Sequence, residues 1–175
     1  MAIKLHALFY PSTVAIVGAS NTPGKLGNVL AERASRGGFP IERIVAVNPK
    51  STQRIAGLRT VRSINELEYV PDLVVITTPA PHVPSIAREC AALGVKYLLI
   101  ITAGFGEVHT SEGDQFQREL EEALKGSVTR VVGPNCFGIM NMHNGLDLTF
   151  GLTGISAPGY VSTPLAKRRS CSSPC

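Results

Sequence analysis

Five short apolar runs, each followed by a cluster of small and polar residues, set the rhythm of this chain. The first, Val14–Val17, stops at Gly18 and gives way to GASNTPGK. Ile44–Val47 closes on Asn48-Pro49-Lys50, and Leu73–Thr77 on Thr78-Pro79-Ala80-Pro81. Lys96–Thr102 closes on Ala103-Gly104-Phe105-Gly106, and Arg130–Val132 on Gly133-Pro134-Asn135-Cys136-Phe137-Gly138. Apolar runs without alternation predict strands covered on both faces.

Helical spacing fills the gaps between these runs. Leu26, Val29, Leu30 and Arg33 follow the i, i+3, i+4, i+7 pattern and predict a helix ended by Gly37-Gly38, with the arginine stem packing beside the apolar three. Ile86, Cys90 and Leu93 mark the buried face of a helix over His82–Leu93, with Pro84 in its first turn and Gly94 beyond its end. Phe116, Leu120, Ala123 and Leu124 do the same for Asp114–Leu124, with Gly126 past its end. Weaker patterns suggest an edge strand at Thr60-Val61, a small helix at Ile64–Tyr69, and a hairpin over Ile139–Phe150 that turns at Asn144-Gly145.

Strands alternating with helices predict an α/β fold, a Rossmann-like doubly wound, mainly parallel sheet of about five to six strands with helices on both faces. In such a sheet the carboxyl ends of the strands form one rim, and the five polar clusters fall there together. Residues 1–150 read as one domain. Periodicity is lost in 151–175, where YVSTPLAKRRSCSSPC has the composition of an irregular, disordered or aberrant tail.

Composition narrows the partners. The formal charge is +4, but Lys167, Arg168 and Arg169 supply three of those charges, and residues 1–166 carry only +1. No basic stripe interleaved with aromatics is present, which argues against nucleic acid. Cys90, Cys136, Cys171 and Cys175 have no CxxC spacing, and no zinc or disulfide framework is expected. The longest apolar run, Tyr97–Ile101, is far short of the ~20 residues of a membrane span, and no signal-peptide pattern opens the chain. A cytoplasmic location is expected.

The chemistry concentrates at Val14–Gly27, a buried strand, a glycine turn and a helix start. Such a junction aims backbone N–H groups and the helix's partial positive charge at an anion, usually a phosphate. An NTPase loop needs GxxxxGK[ST]; here five residues separate Gly18 from Gly24, and Lys25 is followed by Leu26 rather than a hydroxyl. The dinucleotide pattern GxGxxG is also unmet, since the loop offers Gly18-Ala19-Ser20, then Gly24 and Gly27, with Asn21 as a further polar group. An NAD site expects an acid after the second strand, whereas Asn48-Pro49-Lys50 supplies a cation suited to a phosphorylated ribose. NADP and coenzyme A (CoA) both carry one, and these residues leave the two open.

Taken in order, VAIVGASNTPGKLGN, VNPK, VITTPA, ITAGFGE and GPNCFGI resemble the N-terminal CoA-binding domain of the NDP-forming acyl-CoA synthetases, the superfamily of the succinyl-CoA synthetase α-subunit and the ADP-forming acetate–CoA ligases. The resemblance covers about residues 7–150. It implies that Ser20, Asn21 and Lys25 lie along the CoA phosphates, with Gly18, Ala19 and Gly27 shaping the loop. Lys50, beside Asn48 and Pro49, would reach the phosphorylated adenosine end. Thr78 and Pro79 would line the adenine and pantetheine path, Gly104 would belong to the same rim, and Asn135 and Cys136 would sit near the thiol end. No histidine or acid adjoins Cys136 in sequence except His143, so a structural or pocket-lining thiol is expected rather than a nucleophile.

Members of that superfamily activate an acyl phosphate through a phosphohistidine on a second, flavodoxin-like domain, and they bind nucleotide in an ATP-grasp region. Neither is expected to fit in the residues that remain after the first domain, and STPLAKRRSCSSPC stands where relatives continue to an SQSG-like motif. The expectation is a truncated synthetase chain that binds CoA or acyl-CoA without ligase turnover alone, with the missing domains as partners in trans. A stand-alone CoA- or nucleotide-binding regulatory module is the alternative. An NADP-dependent oxidoreductase is a further one, though no Tyr-x-x-x-Lys dyad supports it.

Overall fold

The computed structural model describes residues 5–51 and 53–151. Within them six strands form one parallel sheet: β1 (Val14–Val17), β2 (Ile44–Val47), β3 (Arg59–Val61), β4 (Leu73–Ile76), β5 (Tyr97–Ile100) and β6 (Arg130–Val132). Their order is β3-β2-β1-β4-β5-β6, that of a Rossmann doubly wound sheet. The helices are α1 (His6–Phe9), α2 (Leu26–Arg36), α3 (Val83–Leu93) and α4 (Ser111–Leu124), and an antiparallel hairpin, β7 (Gly138–Asn141) and β8 (Leu146–Thr149), completes the domain. The irregular tail expected at 151–175 lies, beyond Gly151, outside the described residues.

Two cores sandwich the sheet. Val14, Ile16, Leu73 and Val75 point to one face, where Leu30, Ala31 and Ala34 of α2 meet Ile139, Leu146 and Leu148 of the hairpin. Ala15, Val17, Val74 and Ile76 point to the other, against Val83, Ala87 and Cys90 of α3 and Leu120 and Ala123 of α4. The chain moves from β1 to β2 in one direction over one face, and from β4 to β5 in the other direction over the opposite face. These two reversals cancel, so both crossovers have the same hand.

Three local expectations are corrected. The buried residues of α2 are Gly27, Asn28, Leu30, Ala31 and Ala34, whereas Val29 and Arg33 are only partly covered. Arg33 turns to the hairpin and pairs with Asp147 at 3.2 Å. The hairpin turn comprises Met142–Gly145 rather than Asn144-Gly145 alone, because Asn141 and Asn144 both donate side-chain N–H groups to the Phe9 carbonyl and tie the turn to α1. Ile64–Glu66 is a single 3-10 turn, begun by Ser63 accepting the Asn65 N–H, and it stops short of Tyr69.

At the amino-terminal edge of the sheet, Asp72 accepts the Ser12 N–H at 2.7 Å and pairs with Lys96 at 2.6 Å. Burial works to raise its pKa, but the Lys96 hydrogen bond and charge, with the Ser12 N–H, outweigh it and hold the carboxyl below its ordinary value. No helix among the described residues is long and apolar enough to cross a membrane.

Candidate functional site

The register aligns the carboxyl ends of the strands. Val17 pairs with Val47 on one side and Ile76 on the other, and Ile76 pairs with Ile100. Gly18, Asn48, Thr77 and Ile101 therefore begin one continuous rim, and Gly133 follows on β6. The switch in strand order lies between β1 and β4, where an open α/β sheet leaves its crevice.

The turn after β1 is built for close approach. Gly18 takes φ +88°, and a Cβ there would stand 2.7 Å from Thr77 Oγ1. Thr77 Oγ1 donates to the Val17 carbonyl at 2.9 Å, which locks the turn to β4. Asn21 is fully engaged in bracing the loop: its amide donates to the Arg54 carbonyl at 2.9 Å and its oxygen accepts the Ala56 N–H at 3.1 Å. Asn48 has the same role, donating to the Ala19 carbonyl and accepting the Lys50 N–H, both at 2.8 Å. Ala19 itself is buried. Both asparagines thus hold the cradle, which leaves Ser20, Thr22 and Lys25 as its other polar side chains. Ser20 Oγ accepts the Thr22 N–H at 3.0 Å.

The start of α2 differs from that of α4. Thr110 caps α4 by accepting the Gly113 N–H, and Glu112 and Asp114 lie in its first turn. Lys25, the cap residue of α2, is extended and caps nothing, and no acid occupies the first turn. The helix's partial positive charge is left without an internal anion. Lys25 and Lys50 are both exposed and make no ion pair with any described residue.

A cleft of about 570 Å³ opens beside this turn. Of the residues singled out in sequence, Thr78, Pro79 and Asn135 line it; Leu26, Val29, Ile101, Thr102 and Phe150 also line it and were not anticipated. In sequence these five read only as strand, helix and hairpin positions, and adjacency to the motifs was the available signal. Thr78 Oγ1 is buried and has no hydrogen-bond partner among the described residues. A buried hydroxyl without a partner costs about 1–3 kcal/mol, so its place on a cleft wall points to an incoming polar group. Asn135 holds φ +54° and donates its N–H to Thr102 at 3.0 Å, which fixes the end of the cleft.

Two further residues of the expected site have partners within the protein. Cys136 Sγ donates to the Ile100 carbonyl at 3.3 Å, and burial pushes its thiol above the ordinary range. It is a poor nucleophile there. Gly104, at φ +108°, donates its N–H to Glu107 Oε1 at 2.7 Å, and Phe105 donates to Oε2 at 3.0 Å. Glu107 thereby closes the turn after β5. A second groove of about 490 Å³ between α2 and the hairpin lies off the rim, and its Arg33 and Arg36 are paired with Asp147 and Glu32.

A doubly wound sheet with a glycine turn, an uncapped helix start and a cleft at the strand switch defines a nucleotide-type binding domain. Residues 12–142 match the CoA binding domain family, and the chain belongs to it. It is 39% identical over 166 residues to an ADP-forming acetate–CoA ligase of Methanocaldococcus jannaschii, covering 90% of this chain and 23% of that protein. It is 36% identical over 163 residues to the α subunit of ADP-forming acetate–CoA ligase I of Pyrococcus furiosus, covering 91% and 35% respectively. An acetyl-coenzyme A synthetase of Ca. Korarchaeum cryptofilum, solved with phosphate and ADP, superposes with a TM-score of 0.78 at 31% identity, covering 87% of this chain and 32% of that one. The chain thus spans about a quarter to a third of these relatives.

Proposed function

We propose that this chain holds CoA along the carboxyl rim of its parallel sheet. The pyrophosphate lies against Ser20–Lys25 and the uncapped start of α2. The phosphorylated ribose reaches Lys50, and the pantetheine arm runs through the cleft past Thr78, Pro79 and Asn135. The observation that carries this reading is the pairing of an anion-ready helix start with an unpaired lysine, in place of an acid, after β2. Asn21, Asn48, Gly18, Gly27 and Gly104 shape the rim without being required to touch the ligand.

The reaction served is acyl transfer to CoA in an ADP-forming acyl-CoA ligase. Because one matched relative is named as an α subunit, the nucleotide-binding and phosphoryl-transfer regions are proposed to act as partners in trans. Calorimetric titration with CoA and, separately, with NADP tests the cofactor assignment. Saturable binding of CoA without binding of NADP supports it, and the reverse preference refutes it.

A further inference from the structure

The aromatic residues after β6 have no role in the reading above. Phe137 is 66% exposed, and its ring stacks on Phe150 with centroids 5.4 Å apart and planes 18° from parallel. The Phe150 N–H donates to the Phe137 carbonyl at 3.2 Å, so the two rings are tied through their backbones. Phe150 in turn lines the cleft. A ring two-thirds exposed beside a ligand cleft retains apolar area that a partner ring could cover.

Strand order says which end of the ligand comes here. Lys50 follows β2 and Phe137 follows β6, with β1, β4 and β5 between them. Four strand spacings amount to about 19 Å. A CoA anchored by its phosphorylated ribose at Lys50 and its pyrophosphate at the β1 turn directs its thiol end toward the Phe137–Phe150 side. No ionisable side chain lines the cleft among the described residues. An acyl group carrying a free carboxylate therefore finds no cation on the cleft wall, while a planar ring finds a stacking surface.

We propose that the Phe137–Phe150 stack is the acyl-recognition platform of this chain, and that it selects thioesters of uncharged aromatic acids. The proposal rests on the CoA reading and adds the substrate class. Its test is calorimetry with CoA, acetyl-CoA, succinyl-CoA and benzoyl-CoA, on the wild-type chain and on Phe137→Leu, which keeps an apolar side chain and removes the ring. The wild type is expected to bind benzoyl-CoA about two- to tenfold more tightly than acetyl-CoA, the gain of one added aromatic contact, with succinyl-CoA weakest. In Phe137→Leu the benzoyl-to-acetyl ratio is expected to fall to about one. Equal binding of the two thioesters by a wild type that binds CoA overturns this proposal alone, as does an unchanged ratio in the variant. Absence of binding by CoA itself overturns the CoA reading and this proposal together. The wild-type ratio decides the matter even if the variant is unstable.

Discussion

Gly18 and Gly27 meet across the turn that joins β1 to α2: a Cβ on Gly27 would stand 2.0 Å from the Gly18 carbonyl oxygen. The same atom would lie 3.0 Å from Thr77 Oγ1. The helix start can rest on the turn only because position 27 has no side chain, and this contact aims the first-turn amides at the rim. Gly27→Ala must push α2 away from backbone. Overpacking of this kind costs about 1–3 kcal/mol, which lowers the melting temperature by about 2–12 °C for a chain of this size. CoA affinity is expected to fall with it. Gly126→Ala is the control, since a Cβ there meets nothing within 4 Å, the residue follows α4 rather than lining the cleft, and it faces only the strain of φ +74°. Melting curves and titrations of the two variants check the difference.

Thr78→Val separates stability from binding. It keeps the shape of the side chain and removes a buried hydroxyl that has no partner among the described residues. The melting temperature is expected to stay level or rise, because an unsatisfied group is removed. CoA affinity is expected to drop about two- to tenfold, the net worth of one hydrogen bond. A variant that loses stability and keeps its affinity would show that Thr78 has a structural role instead.

Asp72 governs acid stability from the opposite edge of the sheet. Its carboxyl is held below its ordinary value, Lys96 and Ser12 outweighing the effect of burial. A depressed folded pKa contributes stability above the unfolded value of about 3.9 and loses it as pH falls through the folded pKa. Asp72→Asn is therefore expected to destabilise most at neutral pH. The gap to wild type should narrow as pH drops below about 4. Denaturation midpoints across that range check the sign.

Cys90 and Cys136 are expected to resist thiol reagents in the folded protein. Burial, aided by the Glu89 charge, raises Cys90 to about 12, and burial raises Cys136 as well. Peptide mapping after brief alkylation at neutral pH should find both unmodified and should find them labelled after denaturation. Cys136→Ser preserves a donor toward the Ile100 carbonyl and is expected to retain CoA binding within about threefold. A much larger loss would return Cys136 to the ligand.

Strand runs such as Val14–Val17 and Leu73–Ile76 were legible because a central parallel strand buries both faces and cannot alternate. The rim followed from them, since each run ended in a polar cluster. The buried side of α2 was not legible. It consists of Gly27, Asn28, Ala31 and Ala34 beside Leu30, and bulk-based spacing instead selects Val29 and Arg33. The four-residue helix α1 has no room for a period, and it is stabilised by contacts with Asn141 and Asn144 more than 130 positions away. Within the site, Lys25 and Lys50 were legible as cations out of place. The engagement of Asn21 with the 54–56 turn, the isolation of Thr78 Oγ1 and the Phe137–Phe150 stack all depend on long-range packing. No local pattern encodes them.

Lys50 tests the central claim most directly, because it alone is assigned to the phosphate that distinguishes CoA from dephospho-CoA. Titration calorimetry of the wild type is expected to show CoA binding about tenfold or more tighter than dephospho-CoA, the worth of a charge-assisted contact. In Lys50→Ala that advantage should disappear through loss of CoA affinity, with dephospho-CoA little changed. Equal binding of the two ligands by the wild type, or an equal loss for both in the variant, would contradict the account.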